Sequence, residues 1–259
     1  METVISKFNN IKVLYTTEKR VMPSAYREAV DRHWQNLLNS GKRFFNGELF
    51  TIRNIESSEN GINIYVSLTD YAHFLYTIHK NNYQDNDCRV IYTSVLIETS
   101  DNKYAVGEMN EGTAFPFKLQ FIGGGIDKGD INGNIIDLEH NIRKEIFEEL
   151  GIDVDDKTVV KSFKPLYLKS GGQSNFLSAI YKMDLFIDEE KLKTQLNKHN
   201  AALALKKEMQ EIRSLIFLDV EKEAIEEFVA KDKREKDGNL IITLEASVGI
   251  RPVLEFEIK

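Results

Sequence analysis

Three glutamates at helical spacing are the residues in this sequence most suited to chemistry. Glu145, Glu148 and Glu149 lie at positions i, i+3 and i+4 of the segment KEIFEELG, so they share one side of a helix. Three like charges this close repel one another and give a purely structural helix no advantage. A hard divalent cation such as Mg²⁺ or Mn²⁺ takes oxygen ligands and removes the repulsion. The spacing predicts a metal site, although this segment read alone is also typical of an ordinary amphipathic helix.

Three consecutive glycines precede this helix. Glycines 123–125 follow a strand-like run, FKLQFIG. Because glycine has no side chain, it lets the backbone approach a ligand closely and turn a carbonyl toward it. A triple glycine is commonly only a tight turn. Followed by clustered carboxylates, it indicates a metal–phosphate site.

The two segments together resemble the Nudix box, the signature of hydrolases that cleave nucleoside diphosphates linked to another group. The second half of the box is matched from Lys144 to Ile152, with Lys144 in the position of the family's arginine. The first half is matched from Gly123 to Asp130, with Asp130 in place of the family's glutamate. Thirteen residues separate Asp130 from Lys144, six more than in the family pattern, so the box carries an insertion around residues 131–136.

The resemblance implies a Mg²⁺- or Mn²⁺-dependent site. Its implied metal ligands are Glu145, Glu148, Glu149 and a backbone carbonyl at Gly124 or Gly125. Its implied catalytic residues are the same three glutamates and Lys144. Lys144 would orient a neighbouring glutamate, although lysine cannot copy the planar two-pronged contact of arginine. Asp130, shorter than glutamate by one methylene, would reach the metal only through water.

The carboxylate that takes a proton from the attacking water is left open by the sequence. In relatives, that base is a box glutamate or a glutamate from elsewhere in the fold. Glu208 and Glu211 are candidates because they precede a predicted strand, although both positions are more typical of solvated helix charges. The sequence also does not identify the substrate-binding residues. The polar loop 170–175 has side chains suited to binding ribose, a base or sugar hydroxyls, and it can also be a plain surface loop. Tyr65, Tyr71 and Tyr76 could stack on a base or lie in the core.

The composition is that of a globular protein. The 259 residues are 42% hydrophobic and 29% charged, enough for one large domain or two small ones. The net charge of -7 argues against general nucleic-acid binding, which needs clustered Lys and Arg. Cys88 is the only cysteine, which excludes an intrachain disulfide and favours a reducing compartment. The first residues lack a signal-peptide core, and no apolar run approaches the roughly 20 residues that span a bilayer. We expect a cytoplasmic protein without a membrane partner; the oligomeric state is open.

Apolar periodicity and turn residues predict alternating strands and helices. The predicted strands are 4–14, 49–55, 62–68, 90–98, 104–108, 117–122, 159–168, 176–186 and 214–218. The predicted helices are 23–38, 70–79, 138–150, 189–210, 221–233 and 243–256, the last disturbed by Pro252. Thr69 and Asp137 are predicted helix caps, and Gly151 is a predicted helix end. Residues 57–61 are predicted to form a turn, and residues 81–87 a polar connector.

This order predicts the α/β class, with a mixed sheet between helices. The resemblance implies a Nudix-type α/β/α sandwich over residues 88–259, preceded by a small α+β N-terminal extension over residues 1–87. The extension resembles that of the UDP-glucose/UDP-galactose pyrophosphatases of animals within the Nudix family. The resemblance lies in the order of a helix with Trp34, the segment 45–50 and the segment 68–75. The box of those enzymes is also lengthened between its glycines and its glutamates.

The resemblance therefore implies a specific reaction. UDP-glucose or UDP-galactose and water would give UMP and the hexose 1-phosphate. The alternative is a degenerate Nudix domain that binds nucleotide as a sensor or interaction module without hydrolysis. A purely structural helical protein with an acidic face would leave the glycine cluster unexplained.

Overall fold

The computed structural model describes residues 2–8, 10–18, 21–42, 44–58, 61–80, 84–113 and 115–256. Within these ranges the chain forms twelve strands and six α-helices. The strands are β1 (Val4–Lys7), β2 (Ile11–Tyr15), β3 (Glu48–Ser58), β4 (Gly61–Asp70), β5 (Ile91–Glu98), β6 (Lys103–Met109), β7 (Leu119–Gln120), β8 (Ile131–Asn132), β9 (Ile135–Ile136), β10 (Val160–Ser170), β11 (Leu177–Leu185) and β12 (Ile212–Asp219). The helices are α1 (Ser24–Asn39), α2 (Tyr71–Ile78), α3 (Leu138–Leu150), α4 (Glu189–Lys206), α5 (Lys222–Lys231) and α6 (Leu240–Ser247).

A mixed seven-stranded sheet forms the centre of the fold. Its strand order is β1-β10-β11-β5-β6-β12, with β7 paired to β6; β5 and β11 are parallel, whereas β5 and β6 are antiparallel. Successive side chains of a strand point to opposite faces. Val95 and Ile97 therefore pack in the core that contains α3, and Leu96 packs in a second core with α5 and α6. The sheet lies between helices, which confirms the predicted α/β class.

A second sheet is built by the N-terminal region together with the insertion in the box. Its order is β3-β4-β2-β9-β8. The inserted residues form the hairpin β8–β9, and Ile136 lies opposite Val13 in antiparallel register. In the other direction, β1 pairs with β10 of the central sheet. The division into residues 1–87 and 88–259 stays a prediction, and each of these parts contributes strands to a sheet of the other.

Most predicted elements are confirmed. The predicted strand 117–122 shortens to β7 and the predicted helix 189–210 ends at Lys206, and three further differences are larger. The predicted strand 4–14 is two strands, β1 and β2. The cap of α2 is Asp70 rather than Thr69, because the Asp70 carboxylate accepts a hydrogen bond from the His73 amide at 3.0 Å. The helix predicted over 243–256 is wrong: α6 starts earlier and ends at Ser247, Gly249 takes a φ of 76°, and Leu254 pairs with Ser6. The predicted turn 57–61 and connector 81–87 fall partly outside the described residues. No helix in the described ranges is long and apolar enough to cross a membrane.

Candidate active site at the glycine loop and helix α3

Helix α3 is fixed in place by its cap and by its apolar side. The Asp137 carboxylate accepts a hydrogen bond from the His140 amide at 2.9 Å, and Gly151 ends the helix with a φ of 64°. Both predicted helix signals are confirmed. The apolar residues at i, i+4 spacing along the predicted helix 138–150 are all buried: Leu138, Ile142, Ile146 and Leu150. Burial of this stripe sets the rotation of the helix, which turns its glutamate side toward the glycine loop.

The glycine loop contacts two of the three predicted glutamates. The Gly123 amide donates a hydrogen bond to Glu149 Oε2 at 3.0 Å. A Cβ atom at position 124 would lie 2.6 Å from the carboxyl carbon of Glu145. A Cβ atom at position 123, where φ is 148°, would lie 2.2 Å from the Thr93 carbonyl oxygen. Only glycine allows this loop to fit between β5 and α3, so the two halves of the box meet in space despite the insertion.

The two carbonyls predicted as metal ligands both accept hydrogen bonds from the protein. The Thr93 amide donates to the Gly124 carbonyl at 2.9 Å, and Asn141 Nδ2 donates to the Gly125 carbonyl at 3.1 Å. A carbonyl oxygen has two lone pairs, so one remains at each residue. Asn141 was not among the candidates from sequence. It is fully buried, and it also donates to Asp130 Oδ2 at 3.0 Å, so it holds the loop onto α3.

The acidic side chains form one electrostatic cluster. Burial raises the pKa of Glu145 to about 7; the Lys144 charge opposes this rise, and Glu148 and Glu211 add to it. Burial also raises the pKa of Glu149 well above its usual value, with Glu211 the largest charge acting in the same direction. The pKa of Glu211 is raised by burial and by Glu148. Glu211 therefore shares electrostatic effects with the glutamates of α3.

The structure separates the two candidate bases outside the box. Glu211 lines the cavity described below and shares charge effects with the α3 glutamates. Glu208 is not part of the cavity wall, although both side chains are exposed. The signal that distinguishes them is position: Glu211 directly precedes β12, and its carbonyl accepts a hydrogen bond from the Asn110 amide at 2.8 Å, so its backbone is fixed at the sheet.

The donor types in this cluster fit a hard divalent cation, because carboxylates are its preferred ligands and their mutual repulsion would be relieved. Their present placement is a partial fit. Glu149 is bonded to the Gly123 amide and Glu148 is exposed. Among the described residues, no three His, Cys, Asp or Glu side chains are arranged to hold a metal ion. Side-chain rotation would be required for these carboxylates to share one cation.

Lys144 has different partners from those expected. Its Nζ lies 2.8 Å from Asp127 Oδ2 and 3.3 Å from Asp130 Oδ1, whereas the sequence predicted a glutamate partner. Burial would lower the pKa of Lys144, but its contacts with the two aspartates raise it overall. Asp130 is 1% exposed and also accepts a hydrogen bond from the Asp127 amide at 2.7 Å. This network fixes the loop that precedes the insertion.

A cavity of about 960 Å³ opens beside the glycine loop. Aromatic rings of the N-terminal region form part of its wall: Tyr71 stacks on Phe74 at 5.6 Å between centroids, and Phe74 stacks on Phe176 at 5.7 Å. Residues 171–174 of the polar loop line it too. Of the three tyrosines considered from the sequence, Tyr71 is part of this wall and Tyr65 and Tyr76 are not. The cavity thus joins the glycine loop, the polar loop and the N-terminal region.

Several solved structures are similar to this chain at low identity. A protein from Deinococcus radiodurans is 15% identical, with 61% of this chain and 83% of the other covered and a TM-score of 0.40. A Nudix hydrolase from Nitrosomonas europaea is 18% identical, with coverages of 64% and 93% and a TM-score of 0.36. A pyrophosphohydrolase from Bacillus subtilis is 16% identical, with coverages of 64% and 85% and a TM-score of 0.35. No protein-family model matches the chain, and no curated protein matches it.

Proposed function

We propose that the protein is a divalent-metal-dependent Nudix hydrolase that cleaves the phosphoanhydride bond of a nucleoside diphosphate linked to another moiety. One observation carries the proposal: the glycine loop contacts two glutamates of α3 beside a large cavity. The Gly123 amide donates a hydrogen bond to Glu149, and Gly124 packs against the carboxyl group of Glu145. The proposed ligands of Mg²⁺ or Mn²⁺ are Glu145, Glu148, Glu149 and the Gly124 carbonyl.

The side chains of the site would act by positioning and by proton transfer. A bound cation would neutralise the diphosphate and make a bound water more acidic. The glycine loop allows close approach of the phosphate oxygens, because its wall has no side chains. Glu211 and Glu149 are the two candidates for the proton acceptor. Burial raises the pKa of both carboxyl groups, so their ionised forms are stronger bases than ordinary carboxylates.

The proposed substrate is UDP-glucose or UDP-galactose, giving UMP and the hexose 1-phosphate. The stacked rings of Tyr71 and Phe74 support this proposal, because they bring the N-terminal region to the cavity wall. The polar loop 171–174 supplies groups that can bind hydroxyls. Selectivity between the two sugars should be modest, since epimers are discriminated strongly only where a buried partner is left unpaired. Cys88 is the only cysteine of the sequence and is buried, which fits the reducing conditions of a cytoplasmic location.

A nucleotide-binding domain without hydrolytic activity is the second candidate. The observation that favours it is the placement of the carboxylates: in the described ranges, no three acidic, His or Cys side chains converge to hold a cation. Such a domain would bind nucleotide in the same cavity and serve as a sensor or interaction module.

One experiment separates the candidates. The purified chain is incubated with UDP-glucose, UDP-galactose, ADP-ribose, dinucleotides and nucleoside triphosphates in Mg²⁺ or in EDTA, and products are separated by chromatography. Metal-dependent release of UMP and hexose 1-phosphate supports the full proposal. Preference for a triphosphate or ADP-ribose with UDP-sugars untouched would reject the substrate and keep the hydrolase. Binding without any product would favour the second candidate.

A further inference from the structure

A buried lysine lines the cavity away from the glutamate cluster. Lys169, near the end of β10, is 5% exposed and contributes to the cavity wall. Its Nζ donates hydrogen bonds to the Gly171 carbonyl at 2.8 Å and to the Phe176 carbonyl at 3.3 Å. An ammonium group has three protons to donate, so one is left for a further acceptor.

This ammonium group has no carboxylate partner in the described part of the chain. The charges that act on its pKa are Asp237, which favours its protonated form, and Arg89, which opposes it. Asp237 forms its ion pair with Lys118 instead, at 3.4 Å. A buried charge without a paired opposite charge is costly. The cavity beside Lys169 is therefore suited to an anion.

The space beside Nζ is kept open by a glycine. A Cβ atom at position 172, where φ is 87°, would lie 3.4 Å from Lys169 Nζ and 3.4 Å from Thr3 Oγ1. Gly172 also lines the cavity. A side chain at this position would fill the niche in which an anion could meet the ammonium group.

The position of Lys169 relative to the glycine loop follows from the strand register. Lys169 lies opposite Ser178, Ser178 lies opposite Tyr92, and Tyr92 pairs with Gly125. Three strand spacings, about 14 Å, therefore separate the backbones of Lys169 and Gly125. An extended ligand in the cavity can contact both, whereas a single phosphoryl group cannot bridge them.

We propose that Lys169 is an anion-binding residue that contacts a phosphoryl group of the ligand from the side of the cavity opposite the glutamates. The identity of the ligand rests on the proposed function; the presence of an anion site does not. Burial lowers the pKa of Lys169 to about 8. An anion that binds the protonated amine should therefore bind less tightly as the pH rises above 8, and its binding near that pH should be accompanied by proton uptake.

The test is isothermal titration calorimetry of the full chain in EDTA, with inorganic pyrophosphate, UMP and uridine as probes. Lys169→Met should weaken pyrophosphate and UMP about tenfold or more, since a hydrogen bond to a charged group is lost, and should leave uridine unchanged. Repeating the titration at pH 8 in buffers of different ionisation enthalpy should show proton uptake by the wild type that this variant lacks. Lys161→Met, an exposed position on the same strand, is the matched control.

Lys169→Arg provides the second variant. Arginine keeps its charge at all accessible pH values, so this variant should retain pyrophosphate affinity at pH 9 while the wild type loses it. Unchanged anion affinity and unchanged proton uptake in Lys169→Met, with thermal unfolding intact, would overturn the proposal. If UDP-sugars are not hydrolysed and pyrophosphate binding still depends on Lys169, the anion site stands and the proposed reaction fails. If UDP-sugars are hydrolysed and Lys169→Met binds pyrophosphate as the wild type does, the proposed reaction stands and the anion site fails.

Discussion

Lys144 Nζ lies 3.3 Å from Asp130 Oδ1, so the two residues that depart from the Nudix pattern contact each other. The Asp130 side chain is fully enclosed, and its other oxygen accepts hydrogen bonds from the Asp127 amide and Asn141. The two replacements therefore complement one another. Aspartate is shorter than the family's glutamate, and it is held by lysine, which is shorter than the family's arginine and carries one ammonium group in place of a planar guanidinium. This geometry makes Lys144 a positioning residue for the glycine loop in addition to its charge near Glu145.

The first prediction concerns this pair. Lys144→Ala should lower activity, and Lys144→Arg should preserve or raise it. In a double-mutant cycle on unfolding free energy with Asp130→Asn, the two sites should couple by about 1 kcal/mol, because contacting residues are not additive. Arg143→Ala is the control, since its ion pairs go to Glu139 and Asp155. An unchanged rate in Lys144→Ala would show that the contacts of Lys144 with Asp127 and Asp130 do not contribute to activity.

The second prediction concerns Glu149. Its pKa is raised in the folded protein, so between the unfolded value of about 4.3 and the folded value the native state binds more protons. Stability therefore falls as the pH rises through that window. Glu149→Gln removes this cost and keeps an acceptor for the Gly123 amide. In EDTA, its thermal unfolding temperature should exceed that of the wild type at pH 8 and match it at pH 4.

The activity of the same variant should change in the opposite direction. We expect Glu149→Gln to lower turnover by roughly 10²-fold or more, the typical contribution of a proton-transfer group, and Glu148→Gln to act similarly as a proposed ligand. Glu139→Gln, on the exposed side of the same helix, is the control. Wild-type turnover by either variant would reject the assignment of the site.

The site could be predicted from the sequence where local rules decide. The i, i+4 stripe from Leu138 to Leu150 and the Asp137 cap determine which side of α3 faces the loop. The contacts of Lys144, Asn141 and Glu211 could not be predicted, because they depend on chain segments 8 to 61 residues away from the ends of α3 that only tertiary packing brings close. Lys169 was missed for the same reason: its burial follows from pairing with β1 and β11, which its own sequence context does not reveal.

The fold was predicted best where strands and helices are long and strongly patterned. The sequence predicts only an insertion where β8 and β9 lie, because strands of two residues each carry no periodicity. They become strands only because β2 offers a free edge. The last helix was misplaced because apolar residues continue past Gly249, although that glycine and Pro252 stop helical hydrogen bonding.

The third prediction follows from the hairpin formed by the insertion. Ile136 is 2% exposed, opposite Val13, in the same core as α3. Ile136→Ala should cost about 2–4 kcal/mol of unfolding free energy in urea denaturation. Ile135→Ala, at a half-exposed neighbour, is the control and should cost much less.

A chain limited to residues 88–259 should fail to fold cooperatively, because β9 and β10 would each lose a partner strand. A cooperative, soluble fragment would contradict this expectation.

The last prediction concerns the stacked rings in the cavity wall. Phe74 lies between Tyr71 and Phe176, with ring planes inclined by 25° to the first and 22° to the second. Tyr71 and Phe74 itself belong to the N-terminal region, more than 45 residues before the glycine loop. If these rings contact the base or sugar, Phe74→Ala should raise KM for UDP-glucose roughly tenfold, the low end of the 1–3 kcal/mol measured for base–aromatic stacking.

Turnover at saturation should change little in this variant, because the ring of Phe74 stacks on Tyr71 and Phe176 and would bind substrate and transition state alike. Phe45→Ala, at a ring that is 86% exposed and outside the cavity, is the matched control and should leave both constants unchanged. Steady-state kinetics with UDP-glucose and with inorganic pyrophosphate as a competitor separates the contributions, since pyrophosphate has no ring to stack. A fall in kcat with KM unchanged would mean that Phe74 acts by supporting the fold of the cavity and not by contacting the substrate.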